Sequence, residues 1–225
     1  MERVKRIKLA DRELPDYTNG EEMFNMVSHI VGAAIGVAGL VLCVIVSAMH
    51  RNTAGILTSI VYGSCVILLY TMSSIYHGLK APAAKKVFQV IDHCTIYFMI
   101  AGSYTPLTIC AIAKVNPAAG WTIFGFVWAL TALAVTLTAI DLEKYRYFSM
   151  ACYLGMGWCV VAAIKPAYES IPLPGFILLI VGGLFYTSGC IFYGLGGKKR
   201  WFHSIFHLFV LAGSISHLLC MLYVL

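Results

Sequence analysis

The stretch KKRWFHSIFHLF, residues 198–209, places two histidines where an apolar run begins. His203 and His207 are four residues apart, so on a helix they share a face with Cβ atoms about 6 Å apart. Two imidazoles so placed can bind one metal ion. His77, in SSIYH at the end of another apolar run, offers a third nitrogen. Three histidines with one free position form the donor set of a catalytic zinc rather than of a closed structural site. Asp92, in IDHCTIYF, lies near the start of a third run. It is a candidate general base for an attacking water, or a partner that orients a ligand histidine. Ser73 stands one turn before His77 and faces the same way, where it can hydrogen-bond that water. HSIFH lacks the glutamate of the H-E-x-x-H zinc motif, so the base must come from another helix. The alternative is that these are interior polar groups that join helices by hydrogen bonds.

The elements that must position these residues are membrane spans. The chain of 225 residues is 60% hydrophobic and 12% charged, about half the charge of a soluble domain. Runs of about 20 apolar residues are long enough to cross a bilayer. Seven occur, at roughly 24–49, 53–79, 87–113, 118–140, 147–166, 174–195 and 201–225, separated by Pro, Gly and charged residues. The reading is an all-α, seven-helix membrane bundle. Residues 1–22 form a short charged cytosolic lead and 23–225 a single transmembrane domain. The lead has no apolar core of a cleavable signal peptide, and an amphipathic interfacial helix is expected around Val4–Leu9. The eight cysteines all fall inside apolar runs, which makes a poor disulfide framework.

Charge sets the orientation. Of the sixteen Lys and Arg residues, all but Arg51, Lys114 and Lys165 lie in the lead or in the second, fourth and sixth loops. Basic loops stay in the cytoplasm, so the N-terminus is expected inside and the C-terminus outside. The net charge of +6 is therefore a topology device that also favours anionic headgroups, and a nucleic-acid partner is excluded. On this orientation His77, Asp92, His203 and His207 all lie roughly 5–10 Å inside the cytoplasmic boundary. Three sequence-distant helices thus bring ionisable groups to one leaflet, where such groups are functional candidates by default.

The other histidines have weaker readings. His29 lies toward the same side, where it can support a ligand histidine from behind, or pairs with a neighbouring helix. His217 is about 15 Å deeper than His207 and cannot share its metal. His93 points away if Asp92 points in, and His50 is in an outer loop. Pro106, in AGSYTP inside the third run, breaks a backbone hydrogen bond and is expected to kink that helix, either for packing alone or so as to widen a lipid-sized cavity below it.

SSIYH (73–77), IDHCTIYFMIAGSYTP (91–106) and HSIFHLFVLAGSISH (203–217) together resemble the hemolysin III family, the bacterial branch of the progestin and adipoQ receptors. The resemblance runs from EEMFNMVSHIVGA to the C-terminus. It implies zinc bound by three histidines near the cytoplasmic leaflet, with Ser73, His77, Asp92, His203 and His207 matching the family's elements. It also implies kinship with metal-dependent membrane hydrolases that cleave lipid amides, ceramide among them, and a bacterial plasma-membrane location. The long N-terminal domain of the eukaryotic receptors is missing, which speaks against a hormone-receptor role.

Three functions follow. The first is an intramembrane zinc hydrolase of a membrane-lipid amide or ester involved in lipid homeostasis. The second is a non-enzymatic sensor or regulator of membrane state in which zinc clamps helices. The third is a channel or proton-linked transporter, ranked last because the outer halves of the spans are apolar. Nothing in the residues supports a hemolytic pore.

Overall fold

The computed structural model describes residues 9–196 and 199–225, and among them it is helical, without strands. Seven helices are long and apolar enough to cross a membrane: α1 (Asn19–Met49), α2 (Thr53–Gly78), α3 (Pro82–Val115), α4 (Pro117–Ile140), α5 (Arg146–Ser170), α6 (Leu173–Gly196) and α7 (Phe202–Val224). Apart from Leu9, the helix expected around Val4–Leu9 lies outside the described residues, as do the cations Arg3, Lys5, Arg6, Lys8 and Lys198.

Two helices start about five residues ahead of their apolar runs, and local chemistry explains both. α1 opens on a capping box: the Thr18 hydroxyl accepts from the Glu21 amide at 3.2 Å, and the Glu21 carboxylate accepts from the Thr18 amide at 2.8 Å. This carries the helix through the charged end of the lead, so Glu21 and Glu22 are helical. α3 opens on Pro82, whose fixed φ suits a first helical position, and this brings Lys85 onto the helix.

At Pro106 the helix changes type. α3 remains regular to Pro106, widens into a π-helical turn over Leu107–Ile112, and then finishes at Val115. Proline removes one amide from the ladder, and a π turn is one way of shifting the partners that follow. The hydroxyls of Thr105 and Thr108 donate to the carbonyls of Ala101 and Tyr104 at 2.8 and 2.7 Å, which satisfies acceptors in the loosened stretch. α5 is interrupted too, with a 3-10 segment at Cys159–Ala163. There Tyr104 accepts from the Val160 amide at 3.0 Å and donates to the Gly157 carbonyl at 2.8 Å, so one phenol serves two backbone groups at the break.

α3 is the central helix: 67% of its most apolar stretch is buried, against 22–50% for the other six. α1 packs on both α2 and α7, α2 on α3, and α6 on α7. Alternating helix directions put the starts of α1, α3 and α7 and the end of α2 at one end of the bundle. That is where the candidate residues lie.

Candidate metal centre

His77 is the second-last residue of α2, and His203 and His207 occupy the first two turns of α7. All three are buried, at 3%, 8% and 2% exposure. One ring nitrogen from each lies within 4.8 Å of the others. The Nε2 atoms of His203 and His207 are 3.0 Å apart, so they share one proton or face a common electrophile. Zinc–nitrogen bonds of about 2.0–2.1 Å put tetrahedral ligand nitrogens about 3.3 Å apart, so the α7 pair already has nearly the required separation. His77 Nε2 is buried and has no hydrogen-bond partner. An orphaned imidazole nitrogen beside two facing ones, all neutral donors suited to zinc, fits a trihistidine metal site.

His77 is held from its other nitrogen. Nδ1 is 2.6 Å from Glu22 Oε2, and Glu22 Oε1 is 2.9 Å from Lys85 Nζ. The carboxylate can only accept, so the ring hydrogen sits on Nδ1 and the Nε2 lone pair is free. Lys85 in turn donates to the carbonyls of Tyr76 at 3.1 Å and Leu79 at 3.2 Å.

Asp92 and Ser73 are brought together, but not into the histidine cluster. The Ser73 hydroxyl lies beside the Asp92 carboxyl. Ser73 is one turn, about 6 Å, along α2 from His77, so this pair lies deeper in the bundle than the expected common depth. Both residues line a cavity of about 120 Å³ whose wall also includes His203, His207 and His29. The cavity extends along α7 to His217 and along α3 to Tyr104, roughly 20 Å at 1.5 Å per residue. That is about two thirds of a hydrocarbon core of about 30 Å. Leu69, Met99, Ile100, Phe206 and Val210 make much of its wall apolar.

His29 stacks on His207 with ring centroids 3.8 Å apart and meets Tyr70 edge-on at 4.9 Å. It supports a candidate ligand by ring contact; neither of its own nitrogens has a partner. His93 does not turn away from the site as expected. It lines the same cavity, with Nδ1 2.7 Å from the Gln89 carbonyl and Nε2 3.0 Å from the Tyr193 hydroxyl. His217, at the far end, is 3.2 Å from the Leu179 carbonyl.

Three contributors escaped the reading of the sequence: Glu22, Lys85 and Tyr17. The signal for the first was present in TNGE, the capping box that starts α1 before its apolar run. Tyr17 stacks on His203 at 4.8 Å and 18°, forming a roof over the cluster. Burial pushes its phenol pKa up, and Tyr193, Glu22, Asp92 and Glu21 add to the rise. The roof is tied down by Arg200, which donates to the Asp16 carbonyl at 2.8 Å, and by the Trp201 amide, which donates to Glu21 at 2.6 Å.

Comparison with known proteins agrees with this architecture. The profile of the family described as "Haemolysin-III related" matches residues 17–218. The chain is 34% identical over 203 residues to Hemolysin-3 of Bacillus cereus, covering 90% of this chain and 91% of that protein. It is 32% identical over 207 residues to the Hemolysin-3 homolog of Bacillus subtilis (strain 168), covering 92% and 95%. The human monocyte to macrophage differentiation factor is 26% identical over 167 residues, 72% of this chain and 67% of that protein.

Proposed function

The chain belongs to the haemolysin-III-related family of integral membrane proteins, and on that premise we propose that it is a zinc-dependent hydrolase of a lipid amide or ester, working at the cytoplasmic side of a bacterial plasma membrane. The observation that carries the reading is the buried trio His77, His203 and His207, whose ring nitrogens converge within 4.8 Å beside an apolar cavity that also holds Asp92 and Ser73. Zinc held by three histidines supplies Lewis acidity and makes water acidic enough to ionise near neutral pH. Asp92 is the group that accepts a proton from the attacking water and returns it to the leaving nitrogen or oxygen as the acyl bond breaks. Ser73, beside that carboxyl, is placed to hydrogen-bond it or the attacking water. The apolar walls take the acyl chain and exclude bulk water, and the polar end meets the scissile bond just below the headgroups.

A second reading keeps the zinc but gives it a mechanical task in a sensor of membrane state. It is favoured by one feature: the backbones of α2 and α7 scarcely pack on each other, yet His77 and His203 sit with ring centroids 5.4 Å apart. A metal there would add a clamp at the end of two helices otherwise tied by the Tyr70–Ser214 hydrogen bond of 2.7 Å.

The test is metal content and turnover together. Protein purified without chelator should carry one zinc per chain and hydrolyse fluorogenic acyl amides or esters in nanodiscs. Zinc-free wild type, or stoichiometric zinc in His203→Ala/His207→Ala, would remove the site. Bound zinc with no hydrolysis of any acyl substrate would leave the clamp.

A further inference from the structure

Among the described residues Glu22 is the one carboxylate that hydrogen-bonds a candidate ligand. It does so from a third helix: α1 contributes Glu22, α2 contributes His77 and α3 contributes Lys85. We propose that Glu22, locked by Lys85, is the positioning residue of the metal centre, holding His77 in the tautomer that leaves Nε2 free for the metal. The inference rests on reading the trihistidine cluster as a metal site.

The geometry fixes each member of this chain. Lys85 Nζ takes up carbonyls at the end of α2, which the helix itself leaves without amide partners. It also reaches the His77 carbonyl at 3.5 Å and Glu22 Oε1 at 2.9 Å. With Oε1 so engaged, Oε2 faces His77 Nδ1 at 2.6 Å. The side chains of His77, Lys85 and Glu22 are 0%, 10% and 18% exposed, so water competes little for these bonds. A neutral imidazole has one N–H. An acceptor fixed at Nδ1 puts that hydrogen there, and Nε2 keeps its lone pair.

The arrangement distinguishes Glu from Gln. A carboxylate accepts on both sides, from Lys85 and from His77. A glutamine accepts on one side only. Its NH2 cannot face the Lys85 ammonium without setting donor against donor, so it turns toward His77. The imidazole then accepts at Nδ1 and carries its hydrogen on Nε2, where it cannot ligate. Removing the ammonium frees the glutamine to flip, so Lys85→Met should partly rescue Glu22→Gln. A residue that merely packs helices together would show no such rescue.

The experiment is a zinc titration of the full chain in nanodiscs against chelators of graded strength, with the thermal midpoint of the zinc-free protein measured alongside. Glu22→Gln should weaken zinc by about 10–100-fold, the usual cost of losing an orienting partner. The zinc-free midpoint should move little. The double variant Glu22→Gln/Lys85→Met should bind more tightly than Glu22→Gln alone. Unchanged zinc affinity in Glu22→Gln, with or without a lower midpoint, would overturn the proposal. Equal weakening in the single and double variants would overturn the tautomer argument on which it stands. If Glu22→Gln does not accumulate, Glu22→Asp carries the same expectation of weaker zinc binding, since it keeps the charge but withdraws the carboxylate by one methylene. Wild type that binds no zinc would defeat the metal reading itself, a result distinct from all of these.

Discussion

Asp92→Asn tests the division of labour between the histidines and the deeper carboxyl. The substitution is nearly isosteric, at a position only 9% exposed. Asparagine keeps a carbonyl oxygen that can accept from Ser73, and the packing of α2 on α3 is untouched. The Thr95 hydroxyl bonds the backbone carbonyl of residue 92, at 2.7 Å, and is untouched. Loss of stability should therefore be no more than the about 0.5–1.5 kcal/mol of one ordinary hydrogen bond. Zinc should stay bound at saturating metal, because among the described residues the clustered donor atoms belong to His77, His203 and His207. Turnover should fall by about 10²–10⁴-fold, since an amide cannot take the water's proton. That range corresponds to about 2.7–5.4 kcal/mol in the barrier. The assay is single-turnover hydrolysis of a fluorogenic acyl amide in nanodiscs, with zinc counted on the same sample. Turnover within threefold of wild type on fully loaded protein would refute Asp92 as the base. Loss of zinc to the level of a His77 variant would assign Asp92 to the metal's support instead.

Further outcomes can be stated briefly. His77→Ala should weaken zinc more than Glu22→Gln does, because it deletes a donor atom rather than its support; equal affinities in the two variants, by chelator competition, would count against His77 as a ligand. Alkaline phosphatase fused after Leu225 should be active and a fluorescent protein there dark, as expected from the distribution of Lys and Arg with seven spans; the opposite pattern would put the centre at the outer leaflet. Gly32→Ala should lower the thermal midpoint, since a Cβ there would overlap the Tyr70 ring, which is pinned by a 2.7 Å bond to Ser214, and such overpacking costs about 1–3 kcal/mol. Gly125→Ala, with nothing within 4 Å of the new methyl, is the control and should not be destabilised.

What the sequence made legible was whatever a period or a composition could carry. The seven spans follow from apolar length, and the convergence of His77, Asp92, His203 and His207 at one end follows from counting helices that alternate in direction. The i, i+4 spacing of His203 and His207 already implied the shared face that the 3.0 Å nitrogen separation expresses. The helix starts were less legible, because hydropathy ends where the charged residues begin, whereas the backbone follows caps. Thr18 and Glu21 carry α1 a further turn, and Pro82 does the same for α3.

Those two extra turns have a chemical consequence. Glu22 and Lys85 read as a loop glutamate and a topology lysine, one ending the lead and the other counted for orientation. On helices that begin earlier, they pair across α1 and α3, and the Glu22 carboxylate bridges Lys85 and His77. No spacing rule links positions 22, 77 and 85, because their contact depends on three helix packings at once. A donor set can announce itself through the local geometry of one helix, as in HSIFH. The groups that choose its tautomer come from wherever the bundle brings an acceptor to the opposite side of the ring. The lysine that helps to fix that acceptor is one of the residues whose charge is expected to keep this end of the bundle in the cytoplasm, so one cation can serve both insertion and the metal centre.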